Sequence, residues 1–203
     1  MVKKKGSDTK AAQKSIAPAV QAFDSEKKWE RWITKHHNDP VGIHMRIFKK
    51  DAGVKSITYQ QALDVALCYG WIDGIRKGFD EKSFLQKFTP RRSRSIWSKK
   101  NTLNIERLDK EGRMKPAGWK QVELAKADGR WERAYGSQGE MKVPDDFLKA
   151  ISRSKKLKAF FDTLNKTNRF AIAFRLHTAA KPETRQRIIK KIIETLKKGE
   201  RIV

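Results

Sequence analysis

Between Thr58 and Asn101 the chain carries a succession of start and stop signals that leaves few folds open. Thr58-Tyr59-Gln60-Gln61 has the form of a capping box, with Thr58 bonding forward and Gln61 reaching back, so a helix begins here. Leu63, Ala66 and Leu67 form its apolar stripe, Cys68 falls on its last turn, and Gly70 supplies a left-handed stop. Trp71 to Lys77 and Ser83 to Thr89 then read as paired strands turning around Gly78-Phe79-Asp80. Pro90 ends the second strand and holds Thr89 extended. A helix, a hairpin and a second helix start in such close succession require strands and helices to share one core.

The flanking sequence extends that pattern. Ser25 can cap a helix in which Trp29, Trp32, Ile33 and His36 recur at helical spacing. From Gly42 to Lys50 the period falls to two, setting Ile43, Met45 and Ile47 against His44, Arg46 and Phe48, before a turn at Asp51-Ala52-Gly53. Ser95 or Ser98 can cap a helix running to about Glu111, with Gly112 as its stop; Pro116 opens the next helix and Gly129 closes it. Tyr135 to Gly139 is a flexible break. Beyond it, Val143-Pro144-Asp145-Asp146, the run Leu157 to Leu164, Phe170 to Leu176, and Pro182 with its isoleucines mark four more helices. The expected fold class is α+β and predominantly helical, a small antiparallel sheet packed with helices and followed by an all-α C-terminal module. A basic flexible tail is expected over 1–22, an α+β domain over 23–136 and the helical module over 141–203.

Charge narrows the partners. Lys and Arg number 47 against 23 acidic residues, a net charge of +24, and the segment from Met141 onward holds 17 basic and 6 acidic residues, so the excess is not confined to one part. Such a chain seeks anions: a phosphate-bearing small molecule, a nucleic acid or an acidic surface. Six Trp and ten Phe exclude wholesale disorder. One cysteine excludes an intramolecular disulfide framework and fits a reducing compartment. No apolar run approaches the ~18 residues of a membrane span, so a cytoplasmic protein that is not integral to a membrane is expected. The four histidines have no zinc-like spacing, and neither a metal nor a cofactor is expected.

The candidate binding residues are Trp71, Asp73, Arg91, Arg92, Ser95, Trp97, Ser98 and Asn101. Arg91 and Arg92 follow a rigid Thr-Pro unit, and an arginine fork holds phosphate or carboxylate in a bidentate way that lysine cannot match. Ser95 and Ser98 lie near a helix N-terminus, which attracts anions. The same arginines could instead pair with Asp73 or Glu111 as a structural network. Trp71 and Trp97 could stack a base, or pack in the core as large aromatics usually do. Asp73 and Cys68 are weak catalytic candidates, as a general base and a nucleophile; Asp73 could equally cap and pair with Arg91, and Cys68 could be a small buried thiol.

Taken in order, Thr58-Tyr59, Ala66 to Gly74, Phe88-Thr89-Pro90-Arg91-Arg92, Trp97-Ser98-Lys99 and Asn101 resemble the YdeI/OmpD-associated family, also called bacteriocin-protection proteins. Glu111 to Met114, Pro116-Ala117-Gly118, Gly129-Arg130-Trp131 and the segment Lys181 to Ile188 extend the likeness. The resemblance implies a bacterial stress-tolerance protein, associated with resistance to bacteriocins or cationic antimicrobial peptides and linked to an outer-membrane porin, with no settled reaction. Two residues depart from the family pattern: Lys100 stands where an apolar residue is expected and Lys115 where a capping Thr is usual. The function expected is non-enzymatic binding of an anionic ligand or partner in a basic cleft. A nucleic-acid binder and an enzyme using Asp73 or Cys68 are the alternatives.

Overall fold

The computed structural model describes residues 19–202, so the tail expected over 1–22 lies outside the described residues except for its last four. In chain order the elements are β1 (Ala19–Ala22), α1 (Glu26–His36), β2 (Ile43–Phe48), α2 (Tyr59–Cys68), β3 (Trp71–Asp80), β4 (Ser83–Pro90), α3 (Lys99–Lys110), α4 (Pro116–Ala127), α5 (Asp145–Ser152), α6 (Lys155–Asp162), α7 (Lys166–His177) and α8 (Pro182–Lys197). The fold is α+β and mainly helical, as the periodicities require. Two compact units divide it, one of residues 19–63 with 72–90 and the other of 64–71 with 91–202. The break at 135–139 lies inside the second unit.

In the first unit the strands form one sheet in the order β1-β2-β4-β3. Strand β1 runs parallel to β2, with Ala19 opposite Ile43, while β2 and β4 are antiparallel, with Ile43 opposite Phe88. The sheet is therefore mixed, which corrects the antiparallel expectation. The physical reason is α1: a helix between two neighbouring strands returns the chain to the starting edge, so the second strand runs in the same direction as the first. Along β2, Ile43, Met45 and Ile47 are buried and His44, Arg46 and Phe48 are partly exposed, as period two demands. The buried face meets Trp29 of α1, whose ring lies 5.2 Å from Phe23 and 5.9 Å from Phe88, and whose indole N–H donates to the Ala62 carbonyl at 3.1 Å.

The capping box forms as read: Gln61 N–H donates to Thr58 Oγ1 at 3.2 Å, and Thr58 N–H to Gln61 Oε1 at 2.9 Å. The hairpin turns two residues later than Gly78-Phe79-Asp80, because β3 continues through Asp80 and only Glu81-Lys82 separate it from β4. Asp80 makes that turn with its side chain, accepting from Lys82 N–H at 3.0 Å, Ser83 Oγ at 2.6 Å and Arg46 Nη2 at 2.6 Å.

In the second unit Gly70, Gly112 and Gly129 all take positive φ, at 74°, 66° and 73°, as their reading as helix stops requires. The end of α2 lies against the first turn of α4, and Lys115 N–H donates to the Cys68 carbonyl at 3.2 Å. Lys115 is the N-cap of α4 and makes no side-chain cap, in keeping with its departure from a capping Thr. Helices α5 to α8 enclose their own apolar core around Phe147, Ile151, Phe161, Ile172, Ile192 and Leu196. Arg185 of α8 fastens that core, donating to both oxygens of Asp146 at 2.7 and 2.8 Å and to the Leu176 carbonyl at 2.5 Å.

Candidate anion-binding site

The loop after Pro90 is built on Arg91. Its backbone N–H donates to the Gly70 carbonyl at 3.0 Å, its side chain is buried, and its guanidinium carbon lies 3.4 Å from the centre of a Trp97 ring. Nη1 also donates to the Ile96 carbonyl at 3.2 Å. A desolvated guanidinium on an indole face is worth about 2 kcal/mol, so Arg91 holds the loop's conformation from inside. Trp97 is 2% exposed and meets Trp131 edge to face at 5.0 Å. The turn after α4 supplies the other side: Arg130 Nη1 donates to the Ser95 carbonyl at 2.8 Å, Tyr135 N–H to Trp97 O at 2.9 Å, and Lys99 N–H to Tyr135 O at 2.8 Å.

Within this frame the serines serve the backbone. Ser95 Oγ accepts from Arg92 N–H at 3.0 Å and its own N–H returns to the Arg92 carbonyl at 2.9 Å, closing a tight turn that leaves Arg92, Ser93 and Arg94 exposed. Ser98 Oγ caps α3 by accepting from Asn101 N–H at 3.2 Å, and Asn101 itself is buried.

Against the exposed part of the loop lies a recess of about 350 Å³ in which Arg94, Arg130 and Arg133 face a single carboxylate, Asp128. Arg130 Nε reaches both Asp128 oxygens, at 2.8 and 2.7 Å, and Arg133 Nη2 donates to the Asp128 backbone carbonyl at 3.1 Å. The hydrogen bond from Arg130 holds the Asp128 carboxyl below its ordinary range, against a smaller opposing effect of burial. Among the described residues Arg94 makes no ion pair. One anion therefore faces three cations, and exposed pairs of this kind are individually weak. A neighbouring recess of about 680 Å³ shares Arg133 and His177 but sets Lys99, Arg133 and Lys142 against Glu132, Glu140 and Asp145. Its charges balance, so it offers an anion little.

The loop and helix start bring Arg91, Arg92, Ser95, Trp97, Ser98 and Asn101 together. Trp71 is fully buried in the same unit. Asp73 belongs to the other unit, where it accepts from Tyr59 O–H at 2.8 Å. Glu111 pairs with Arg107 at 2.9 Å and Arg113 at 3.4 Å, and Arg107 also reaches the buried Asp64 at 2.7 Å. Cys68 is buried at the end of α2, where its carbonyl meets α4. Arg94, Arg130 and Arg133 are not among the candidate residues that the sequence marks, although Gly129-Arg130-Trp131 lies within the motif. Among the described residues no group of His, Cys, Asp and Glu could hold a metal ion, and no helix is long and apolar enough to cross a membrane.

Comparison with known proteins divides the chain in two. Residues 140–199 match the family described as bacteriocin-protection, YdeI or OmpD-associated. Residues 21–121, which include the whole motif from Thr58 to Gly118, match a domain of unknown function (DUF8412). No curated protein and no solved structure matches the chain.

Proposed function

We propose, from the match of residues 140–199 to the bacteriocin-protection, YdeI or OmpD-associated family, that the protein is a cytoplasmic stress-protection protein that binds an anionic ligand without catalysing a reaction. The observation that supports this reading is the recess in which Arg94, Arg130 and Arg133 oppose only Asp128. Arg91, Trp97 and Ser98 hold the loop; Arg92 and Arg94 are the arms it presents. A protein of net charge +24 repels a cationic peptide, so protection works indirectly, through regulation or metabolism of the envelope, and not by sequestering the peptide. The test is a calorimetric titration with pyrophosphate, using wild type and Arg94→Ala with Arg133→Ala. Two lost charge-assisted contacts weaken binding at least about tenfold. Unaltered pyrophosphate affinity, or none in the wild type, removes the reading. The net charge also favours a second reading, a nucleic-acid partner, whose affinity would fall steeply with salt.

A further inference from the structure

The first unit holds a second cationic recess, independent of the reading above. It has a volume of about 700 Å³ and lies between the end of β2, the segment 49–58, the start of α2 and the β3-β4 hairpin. Four cationic side chains line it, Lys49, Lys50, Lys55 and Arg76, and no carboxylate does. Among the described residues Lys49, Lys50 and Arg76 make no ion pair, and Lys55 acts only through space on Asp24, whose salt bridge is to Lys28 at 2.6 Å. Four like charges around one concavity repel one another and raise the local potential, a cost with no structural return unless an anion relieves it.

The arrangement of Arg76 adds shape to the charge. Its guanidinium carbon lies 3.7 Å from the centre of the Phe84 ring, so the group rests on an aromatic floor, and both residues line the recess. A guanidinium so placed can stack on a flat heterocycle or grip phosphate oxygens, whereas the three lysines act as mobile point charges suited to phosphate. The N-terminal end of α2, at Thr58 and Tyr59, reaches the same recess and brings the positive end of its dipole. The volume falls in the range of small-molecule pockets, about 300–1,000 Å³.

We infer that this recess binds a nucleoside di- or triphosphate, its phosphates among Lys49, Lys50 and Lys55 and its base against Arg76. The experiment is a calorimetric titration of the full chain with ATP, AMP, pyrophosphate and a single-stranded oligothymidylate. ATP is expected to bind at one site, with AMP at least about tenfold weaker because it carries fewer charges for four cations. Lys50→Ala with Lys55→Ala, both exposed and outside the core, should weaken ATP at least about tenfold. Arg76→Ala should weaken ATP more than it weakens pyrophosphate, since only ATP carries a base. In a protein carrying Arg94→Ala with Arg133→Ala, which disables the recess beside Arg94, ATP should still bind, and adding Lys50→Ala with Lys55→Ala should weaken it at least about tenfold, which separates the two sites. No ATP binding overturns the inference. So does ATP binding that the Lys50/Lys55 variant leaves intact, equal affinity for AMP and ATP, or an oligothymidylate that binds tighter than ATP and displaces it.

Discussion

Gly118 sits on the first turn of α4 where that helix meets the end of α2. A Cβ added there would lie 2.3 Å from the Cys68 carbonyl oxygen and 2.9 Å from Met114 Cε. The methionine can swing away. The carbonyl cannot, because it is backbone at the last residue of α2 and already accepts from Lys115 N–H at 3.2 Å. Relief therefore requires the two helix ends to part. Two effects compete in Gly118→Ala: helix propensity favours alanine by about 1 kcal/mol, and forced overpacking costs about 3 kcal/mol. The clash wins, leaving a net destabilisation of about 2 kcal/mol, or roughly 4–8 °C in Tm for a chain of this size. Thermal unfolding followed by circular dichroism measures it. Gly112→Ala is the control, since nothing lies within 4 Å of its added Cβ and only its φ of 66° opposes alanine, at about 1–2 kcal/mol. A Gly118→Ala protein as stable as wild type, or more so, would show that propensity outweighs the contact and would refute the close approach of α2 and α4.

Asp64→Ala removes a carboxylate that is 9% exposed from Arg107, which is 40% exposed and keeps Glu111. Because Arg107 can turn to water, the cost should be about 1–2 kcal/mol, below the 3–5 kcal/mol or so of breaking a fully buried pair, measurable as a shifted denaturation midpoint. Asp146 is held below its ordinary range chiefly by Arg185, helped by backbone N–H groups and opposed by burial. Its contribution is therefore present above its unfolded pKa, near 3.9, and is lost as pH falls through the lower folded value. Wild type should exceed Asp146→Asn in stability at neutral pH and converge with it in acid titration; a gap that persists in strong acid would contradict the pairing.

What could be read in the sequence was local. The capping box at Thr58 and Gln61 spans one helical turn, and β2 carries its period in six consecutive residues, so neighbours alone determine both. Strand β1 gave no such signal: its four residues are all exposed, and they become a strand only because β2 offers an edge. Gly78 marks a turn by its residue type alone, but the hairpin turns at Glu81-Lys82 because Asp80 gathers Lys82, Ser83 and the distant Arg46. Arg91 and Arg92 are adjacent and chemically identical, yet one is buried on Trp97 and the other exposed. Their difference depends on Trp131 and Arg130, brought by another segment to brace the loop. For the same reason Asp64 could not be paired in advance with an arginine 43 residues away.

Survival of a bacteriocin-challenged strain carrying wild type or Arg94→Ala with Arg133→Ala, at matched protein level and melting temperature, decides whether the recess beside Arg94 carries protection. Loss of protection in the folded variant is the predicted result. Protection equal to wild type would contradict the recess beside Arg94 as the seat of function.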